Sequence, residues 1–489
     1  MSLLFEWLED AVRTRTAATG SSHAVVFRDT YLSWHGLLHR VERRAREMAT
    51  MGIRAGDFVG LMLGNDPEFV ILALALSKLD AVVVPVDPTI TSRDLDMTLA
   101  ALPLRGIVAR PKALDPFAAP AGALHLGGQA RLARLAAESR HRISGTLLSC
   151  ALYACQRPQL EPGVEPEVVL LTLDAGGDPK AVVRGPSQLR GIAATLGKVF
   201  DLGPDANVLC AAPLFDCQGF DLGFLAALPA AATLCLDETT AGPRLAKLLV
   251  GQAVGLLAAT PREFAALARV ANVKPLRGRN TRLLCSGVPL PPAVARAFRR
   301  RYGLPILSCY QSCEAGPCAV DLGGNHPESV GSPLPGIEVR VAGHHGEGLA
   351  RGTVGPIWVR GAGVATTFLP ALPVRSGQFA LGRGLQDGWL RTGDLGYFDA
   401  GDRLHLSLRE DDIVKVDRHC VALGEIESCL ESHASVKAAR ARVEYDDSGS
   451  THIVVRITPG NRCRPDAMLD HCVKRLAPHK VPRRIEFGD

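Results

Sequence analysis

The 489-residue sequence is poor in aromatics, has no cysteine before Cys150 and carries no dominant charge. Aromatic residues make up 5% of the chain, too few for a platform that stacks bases. Lys and Arg number 55 against 50 Asp and Glu, and the net +5 is spread along the whole length, so no nucleic acid or anionic membrane surface is called for. The longest apolar run, Phe69 to Val86, is broken by Lys78 and Asp80, whereas a membrane span needs about 20 clean residues. Glu6, Glu9 and Asp10 stand where a secretory signal would carry basic residues. The 13 cysteines are an odd number and irregularly spaced, which excludes a secreted disulfide framework and predicts reduced thiols in a cytoplasm. Cys309, Cys313 and Cys318 cluster without the paired CxxC spacing of a zinc site. No HExxH or GxSxG occurs, and no GxGxxG in a strand–helix context, so metalloprotease, α/β-hydrolase and dinucleotide-binding readings lack support.

What is present is an ordinary globular composition, 47% apolar and 21% charged, long enough for two to four domains of about 150 residues. The first part alternates helical and strand patterns. Leu3 to Arg13 and Leu37 to Met51 have helical spacing, while Asp57 to Leu63, Ala81 to Val86 and Gly106 to Ala109 read as short buried strands. That alternation predicts parallel strands with helices on their faces. Leu104 to Glu167 is rich in Ala, Pro and Arg and gives little pattern beyond the strand at its start. The pattern resumes with strands Val168 to Leu173 and Ala181 to Val183, a helix from about Ser187, a strand Val208 to Ala211 and a strand–helix unit over Arg282 to Tyr310. From Gly331 to Leu408, short strands separated by Gly and Pro suggest a small barrel or meander. Asp411 to Asp489 reads as a compact α+β module, with helices near Gly424 to Ser432 and Pro465 to Leu476 and strands at Val436 to Val443 and His452 to Ile457. The expected fold is therefore α/β: a large part of two helix-flanked sheets plus a small β-barrel over 1–410, and a small α+β domain over 411–489.

Three segments offer chemistry. Asp174-Ala175-Gly176-Gly177-Asp178-Pro179-Lys180 joins two strands; its glycines let backbone N–H groups converge on an anion that the lysine can neutralise, and a plain hairpin explains it equally well. Gly191 to Val199 imitates a Walker loop, but five residues separate its glycines and Val199 replaces the Mg²⁺-binding hydroxyl, so it reads as helix interior. Tyr310-Gln311-Ser312-Cys313-Glu314-Ala315-Gly316 follows an apolar strand, at the end of a sheet where ligands bind, or forms a capped turn with a solvated glutamate. Asp387 to Tyr397, followed by Leu408 to Asp412, places Asp394 to accept from a ribose diol and Arg409 to donate to ribose or phosphate, or builds a salt-bridged hairpin.

In this order the three segments resemble the adenylate-forming enzymes, which include acyl-CoA synthetases, aryl and fatty-acid ligases, luciferases and peptide-synthetase adenylation domains. Gly56 to Pro88, Pro213-Leu214-Phe215, Ser286 to Leu290, Val330 to Gly336, Gly388 to Tyr397 and Leu408 to Glu427 carry the resemblance over nearly the whole chain. It implies an ATP-dependent ligase: a small carboxylic acid and ATP give acyl-AMP and pyrophosphate, then a CoA or carrier-protein thiol takes the acyl group. It also implies ATP/AMP and Mg²⁺ as cofactors, while composition and charge already predict no nucleic acid partner, no membrane span and a cytoplasmic setting. By resemblance Thr172, Gly177, Pro179 and Lys180 match the phosphate loop, Tyr310 the aromatic beside adenine, and Glu314 the Mg²⁺/ATP carboxylate. Asp394 matches the ribose acceptor, Arg409 the ribose/phosphate arginine, Asp411 the hinge and Lys415 a lysine that follows it, with Lys180, Glu314 and Lys415 as the catalytic set.

The departures point the other way. Leu173, Asp174, Ala175 and Gly176 replace a loop normally rich in hydroxyls, and Asp174 brings negative charge towards a triphosphate. Gln311 and Cys313 replace a glycine and a threonine, Asp216 a gating histidine, Arg418 the glycine on the pantetheine path and Cys420 an arginine. After Lys480 to Arg484 the resemblance leads into a turn bearing a transition-state lysine, for which no counterpart follows. Impaired catalysis is therefore expected, and a non-catalytic relative that binds a nucleotide, an acyl ligand or a pathway partner is the alternative.

Overall fold

The computed structural model describes residues 2–17, 23–90, 95, 98, 102, 104–110, 140–142, 149–152, 164–173, 179–237, 241–287, 290–343, 346–369, 385–409, 413–416, 419–446, 450–460 and 464–487. Within these, residues 140–142, 149–152, 173, 179, 408–409, 413, 415, 420 and 422 are described by their backbone.

Two large sheets share a core. The first has nine strands in the order Ser332–Pro333, Gly316–Val320, Leu307–Ser312, Arg282–Cys285, Leu256–Ala259, Asn207–Cys210, Thr233–Leu236, His23–Phe27 and Thr30–Ser33. Its six members from Leu307–Ser312 to His23–Phe27 run parallel. Strands buried on both faces need continuous apolar runs, as Leu256–Ala259 supplies. The second sheet has eight strands, ordered Thr367–Leu369, Pro179–Arg184, Val168–Leu173, Val82–Pro85, Phe58–Met62, Leu104–Ala109, Ser149–Leu152 and Arg140–Arg142. It is parallel in the middle and antiparallel at both edges. The strands at 140–152 went unread in the sequence because their segment shows no period-2 alternation.

Helix Pro67–Lys78 is buried continuously from Phe69 to Ser77. A helix apolar all round must be covered all round, and it packs against helices Leu3–Ala17 and Trp34–Thr50 and strands Phe58–Met62 and Val82–Pro85. Asp66 caps it, accepting from Glu68 N at 2.9 Å, and Pro67 presets its first turn. Buried polar groups tie the two sheets. Asn65 Nδ2 donates to the carbonyls of Cys210, Ala212 and Asp237, while its Oδ1 accepts from Leu214 N. Cys210 ends one parallel strand, and Ala212 and Asp237 lie just past strand ends, where a buried side chain supplies the donors.

Ile337–Val341, Gly355–Gly361, Trp389–Phe398 and Leu385–Gln386, with Leu404–Arg409 pairing on Trp389–Phe398, form a five-stranded antiparallel sheet. This is the meander that the Gly and Pro spacing predicts. Further on lie a hairpin, Ile413–Val416 with His419–Ala422, and a sheet of Val436–Tyr445, Thr451–Pro459 and Arg484–Phe487. Helices Leu423–Glu431 and Pro465–Val473 cover that sheet around a separate apolar cluster that includes Ile426, Val455 and Met468.

Candidate active site

Strand Leu307–Ser312 and the turn after it form the hub. Tyr310 lies in that strand, buried at 3% exposure, and its hydroxyl donates to Asp394 Oδ2 at 2.7 Å. The same hydroxyl is 2.9 Å from Thr392 Oγ1, which also accepts from Asp394 N and reaches the Ile357 carbonyl. Burial, then the charge of Asp394, pushes the Tyr310 phenol well above its ordinary value, so it stays a donor. Four residues on, Glu314 faces the second sheet, and Lys180 Nζ donates to its Oε1 at 3.0 Å. The ammonium also sits 4.4 Å from the Phe368 ring centroid, a cation–π contact. Five residues of one segment thus join the antiparallel sheet at Asp394 and the Val168–Leu173/Pro179–Arg184 hairpin at Lys180.

Beneath these contacts lies an ion pair that the sequence does not announce. Arg184 and Asp221 are both fully buried and paired through two guanidinium nitrogens, Nη2 lying 3.2 Å from Oδ2. Arg184 Nη2 also donates to the Cys313 carbonyl at 2.6 Å, and Gln311 Nε2 donates to Asp221 and to the Cys217 carbonyl, both at 2.9 Å. Burial raises the Asp221 carboxyl, and Arg184 and Gln311 only partly oppose it. Asp221 belongs to a π-helical turn, Phe220–Leu225, a wide turn often found at functional sites. The available sequence signal was a charge ending an otherwise apolar strand, Ala181-Val182-Val183-Arg184, which reads as a strand terminus.

Of the predicted residues, Lys180, Glu314, Tyr310 and Asp394 come together as two bonded pairs on one segment. Thr172 is the cross-strand partner of Lys180, so the hairpin at the candidate loop is real. Asp394 and Arg409 are register partners across their strands, although the Arg409 side chain lies outside the described residues. Lys415 lies in the Ile413–Val416 strand opposite Cys420. Gly177, Asp411, Arg418, the loop 174–178 and the side chains of Pro179 and Lys415 also lie outside the described residues. Gly191 and its neighbours form the interior of helix Pro186–Phe200, as expected.

The sequence pattern of AMP-binding enzymes matches residues 12–369. The chain belongs to that family. Among curated proteins it is similar to a feruloyl-CoA synthase of an Amycolatopsis species, 28% identical over 485 residues, covering 96% of this chain and 93% of the relative. Among solved structures it is similar to o-succinylbenzoate CoA synthetase from Bacillus subtilis bound with its product analogue OSB-NCoA, with a TM-score of 0.78 at 20% identity, covering 99% of this chain and 94% of that one. ATP-bound MatB from Rhodopseudomonas palustris gives a TM-score of 0.67 at 20% identity, with 99% and 94% covered. These likenesses show the fold, a large N-terminal and a small C-terminal domain as in other members of the family. Among the described residues, no helix is long and apolar enough to cross a membrane.

Proposed function

We propose that this chain is an ATP-dependent ligase that activates a small carboxylic acid as its acyl-adenylate and passes the acyl group to the thiol of CoA. The carrying observation is the Leu307–Ser312 segment with its turn, which holds Tyr310 against Asp394 and Glu314 against Lys180. Tyr310 and Asp394 make one end suited to a nucleoside: a buried aromatic beside a carboxylate that can accept from a ribose diol. Lys180 and Glu314 make the other end suited to phosphate, a cation for the oxygens and a carboxylate for a hard cation.

In the first step the substrate carboxylate oxygen attacks the α-phosphorus of ATP and pyrophosphate leaves. Negative charge grows on the phosphoryl oxygens, and Lys180 is placed to favour that charge over the ground state. Glu314 fits Mg²⁺, which binds through one or two carboxylates plus substrate phosphates and would supply charge neutralisation there. In the second step a thiolate attacks the acyl carbon and AMP leaves. The acceptor is CoA, with a carrier-protein thiol as the variant to be assayed beside it. Within the same proposal, residues 1–410 and 411–489 form two domains with Asp411 as the hinge.

The test is ATP–pyrophosphate exchange over a panel of aliphatic and aromatic carboxylic acids, followed by thioester formation with CoA. Exchange that depends on one class of acid supports the assignment. Nucleotide binding without exchange for any acid would replace it with the non-catalytic alternative.

A further inference from the structure

Two segments distant in sequence bring three metal-type donors together beside the buried ion pair. The Asp216 carboxylate, the Cys217 thiol and the Cys313 thiol offer ligand atoms that all lie within 4.8 Å of one another. Asp216 caps the short turn opened by Cys217, accepting from Gln218 N at 3.3 Å. Cys313 is held in the hub turn between Ser312, whose hydroxyl accepts from Ala315 N at 3.1 Å, and Glu314. Gln311 links the two segments through the Cys217 carbonyl, so they form one braced unit.

We propose that Asp216, Cys217 and Cys313 bind one soft divalent cation, with Zn²⁺ as the occupant. Two sulfurs with one carboxylate select zinc over magnesium or calcium, which take oxygen. Zinc sits about 2.3 Å from sulfur, so two tetrahedral thiolate ligands stand roughly 3.8 Å apart; donors within 4.8 Å of one another need a contraction of at most about 1 Å. On binding, both S–H protons leave to solvent, two Zn–S bonds and one Zn–O bond form, and no electron is transferred. The three ligands carry three negative charges against the two of the ion. Arg184 Nη2 donates to the Cys313 carbonyl at 2.6 Å, but its charge is matched by Asp221, so one negative charge remains at the occupied site. Three protein ligands leave a fourth position for water or a ligand atom. The inference stands on this donor set alone and does not require the ligase reading.

The sequence reading set aside Cys309, Cys313 and Cys318 as a zinc site for want of paired spacing, and it did not link Cys313 to Cys217, which lies 96 positions earlier. Cys309 and Cys318 are buried elsewhere in the strands, with burial pushing the Cys309 thiol up to about 12 and the Cys318 thiol well above its ordinary value. Cys313 instead lies beside the Cys217 thiol and the Asp216 carboxylate.

Co²⁺ titration of the reduced full-length chain tests the site. The expected result is a thiolate-to-cobalt charge-transfer band and tetrahedral d–d absorption saturating at one equivalent, both removed by Zn²⁺. Cys217→Ser and Cys313→Ser should each weaken binding at least about tenfold. Cys429→Ser should not, since Cys429 lies with Cys472 in the C-terminal part. A footprint on the wild-type chain keeps the question open to refutation if a variant fails to fold: Zn²⁺ should protect Cys313 from alkylation, read by peptide mass spectrometry. Absence of the band, or alkylation of Cys313 that Zn²⁺ leaves unaltered, would overturn the proposal.

Discussion

Lys180 and Glu314 stand 134 positions apart in the chain and 3.0 Å apart in space. The contact joins the Val168–Leu173/Pro179–Arg184 hairpin of one sheet to the turn that leaves a strand of the other, so it measures whether the two sheets are set correctly at the candidate site. The pair is partly shielded, with the lysine side chain 25% and the glutamate 12% exposed. Under the proposed function, this pair separates when a triphosphate and its counter-ion arrive.

Lys180→Ala should lower the rate of acyl-adenylate formation by about 10²–10³-fold, the usual cost of one preorganised charge at a transition state. Glu314→Gln should act mainly on the metal dependence of the same step. Because the two groups contact each other, the double substitution should cost less than the product of the singles. Pyrophosphate exchange over a Mg²⁺ series checks all three; additive losses would mean the two groups act separately.

Tyr310→Phe removes the hydroxyl that donates to Asp394 and lies 2.9 Å from Thr392 Oγ1, without changing ring size. The expected cost is about 1–3 kcal/mol of stability, since buried acceptors lose a partner. AMP affinity should fall with it, because Asp394 is no longer held in place; melting temperature and calorimetric titration report the two effects. The phenol also sets an alkaline limit. Its folded pKa is raised, so its contribution is complete below the unfolded value of about 10 and declines as pH rises beyond it. The melting temperature of wild type should therefore drop more steeply above that pH than that of Tyr310→Phe.

The motif residues were legible because their chemistry is local. Tyr310 and Glu314 share one strand and turn, and Asp394 and Arg409 stand in strands joined by a short turn. Arg184 and Asp221 were not, since each sits in an apolar segment and only the packed fold reveals the partner. The same holds for Cys217 with Cys313. Asp216 was noticed for the histidine it replaces, while its place beside two thiols needed the structure. The fold of Phe58 to Pro85 was readable from runs of Val and Leu, whereas the strands at 140–152 had no alternation to read.

Breaking one half of the buried pair should be severe. Arg184→Met leaves Asp221 charged and buried, which costs about 3–5 kcal/mol, whereas removing both charges with Asp221→Leu should restore much of it. Chemical denaturation followed by fluorescence and circular dichroism measures both. A double variant no more stable than the single would mean that the pair is needed for the geometry of the Phe220–Leu225 turn and not only for charge balance.

The last prediction concerns His419, which reaches from the Ile413–Val416/His419–Ala422 hairpin back to the first part of the chain. Its Nε2 lies 2.8 Å from Asp87 Oδ2, and its ring stacks on His479 at 3.9 Å between centroids. Burial pushes the Asp87 carboxyl up, but His419 and then the Thr89 hydroxyl and N–H outweigh it and hold it below the usual range. A depressed carboxyl contributes stability that is present above its unfolded value of about 3.9 and lost as pH falls through the folded value. The hairpin should accordingly loosen on acidification below about pH 4, and Asp87→Asn should loosen it at neutral pH. A histidine–carboxylate contact at this partial exposure contributes about 0.5–1 kcal/mol, so amide exchange at 419–422 should quicken roughly twofold to fivefold in the variant. The variant should also lose the acid dependence that wild type shows at those amides. Exchange that stays the same in both proteins across the pH series would mean that the hairpin is held by the His419–His479 stack, and that Asp87 is only a neighbour.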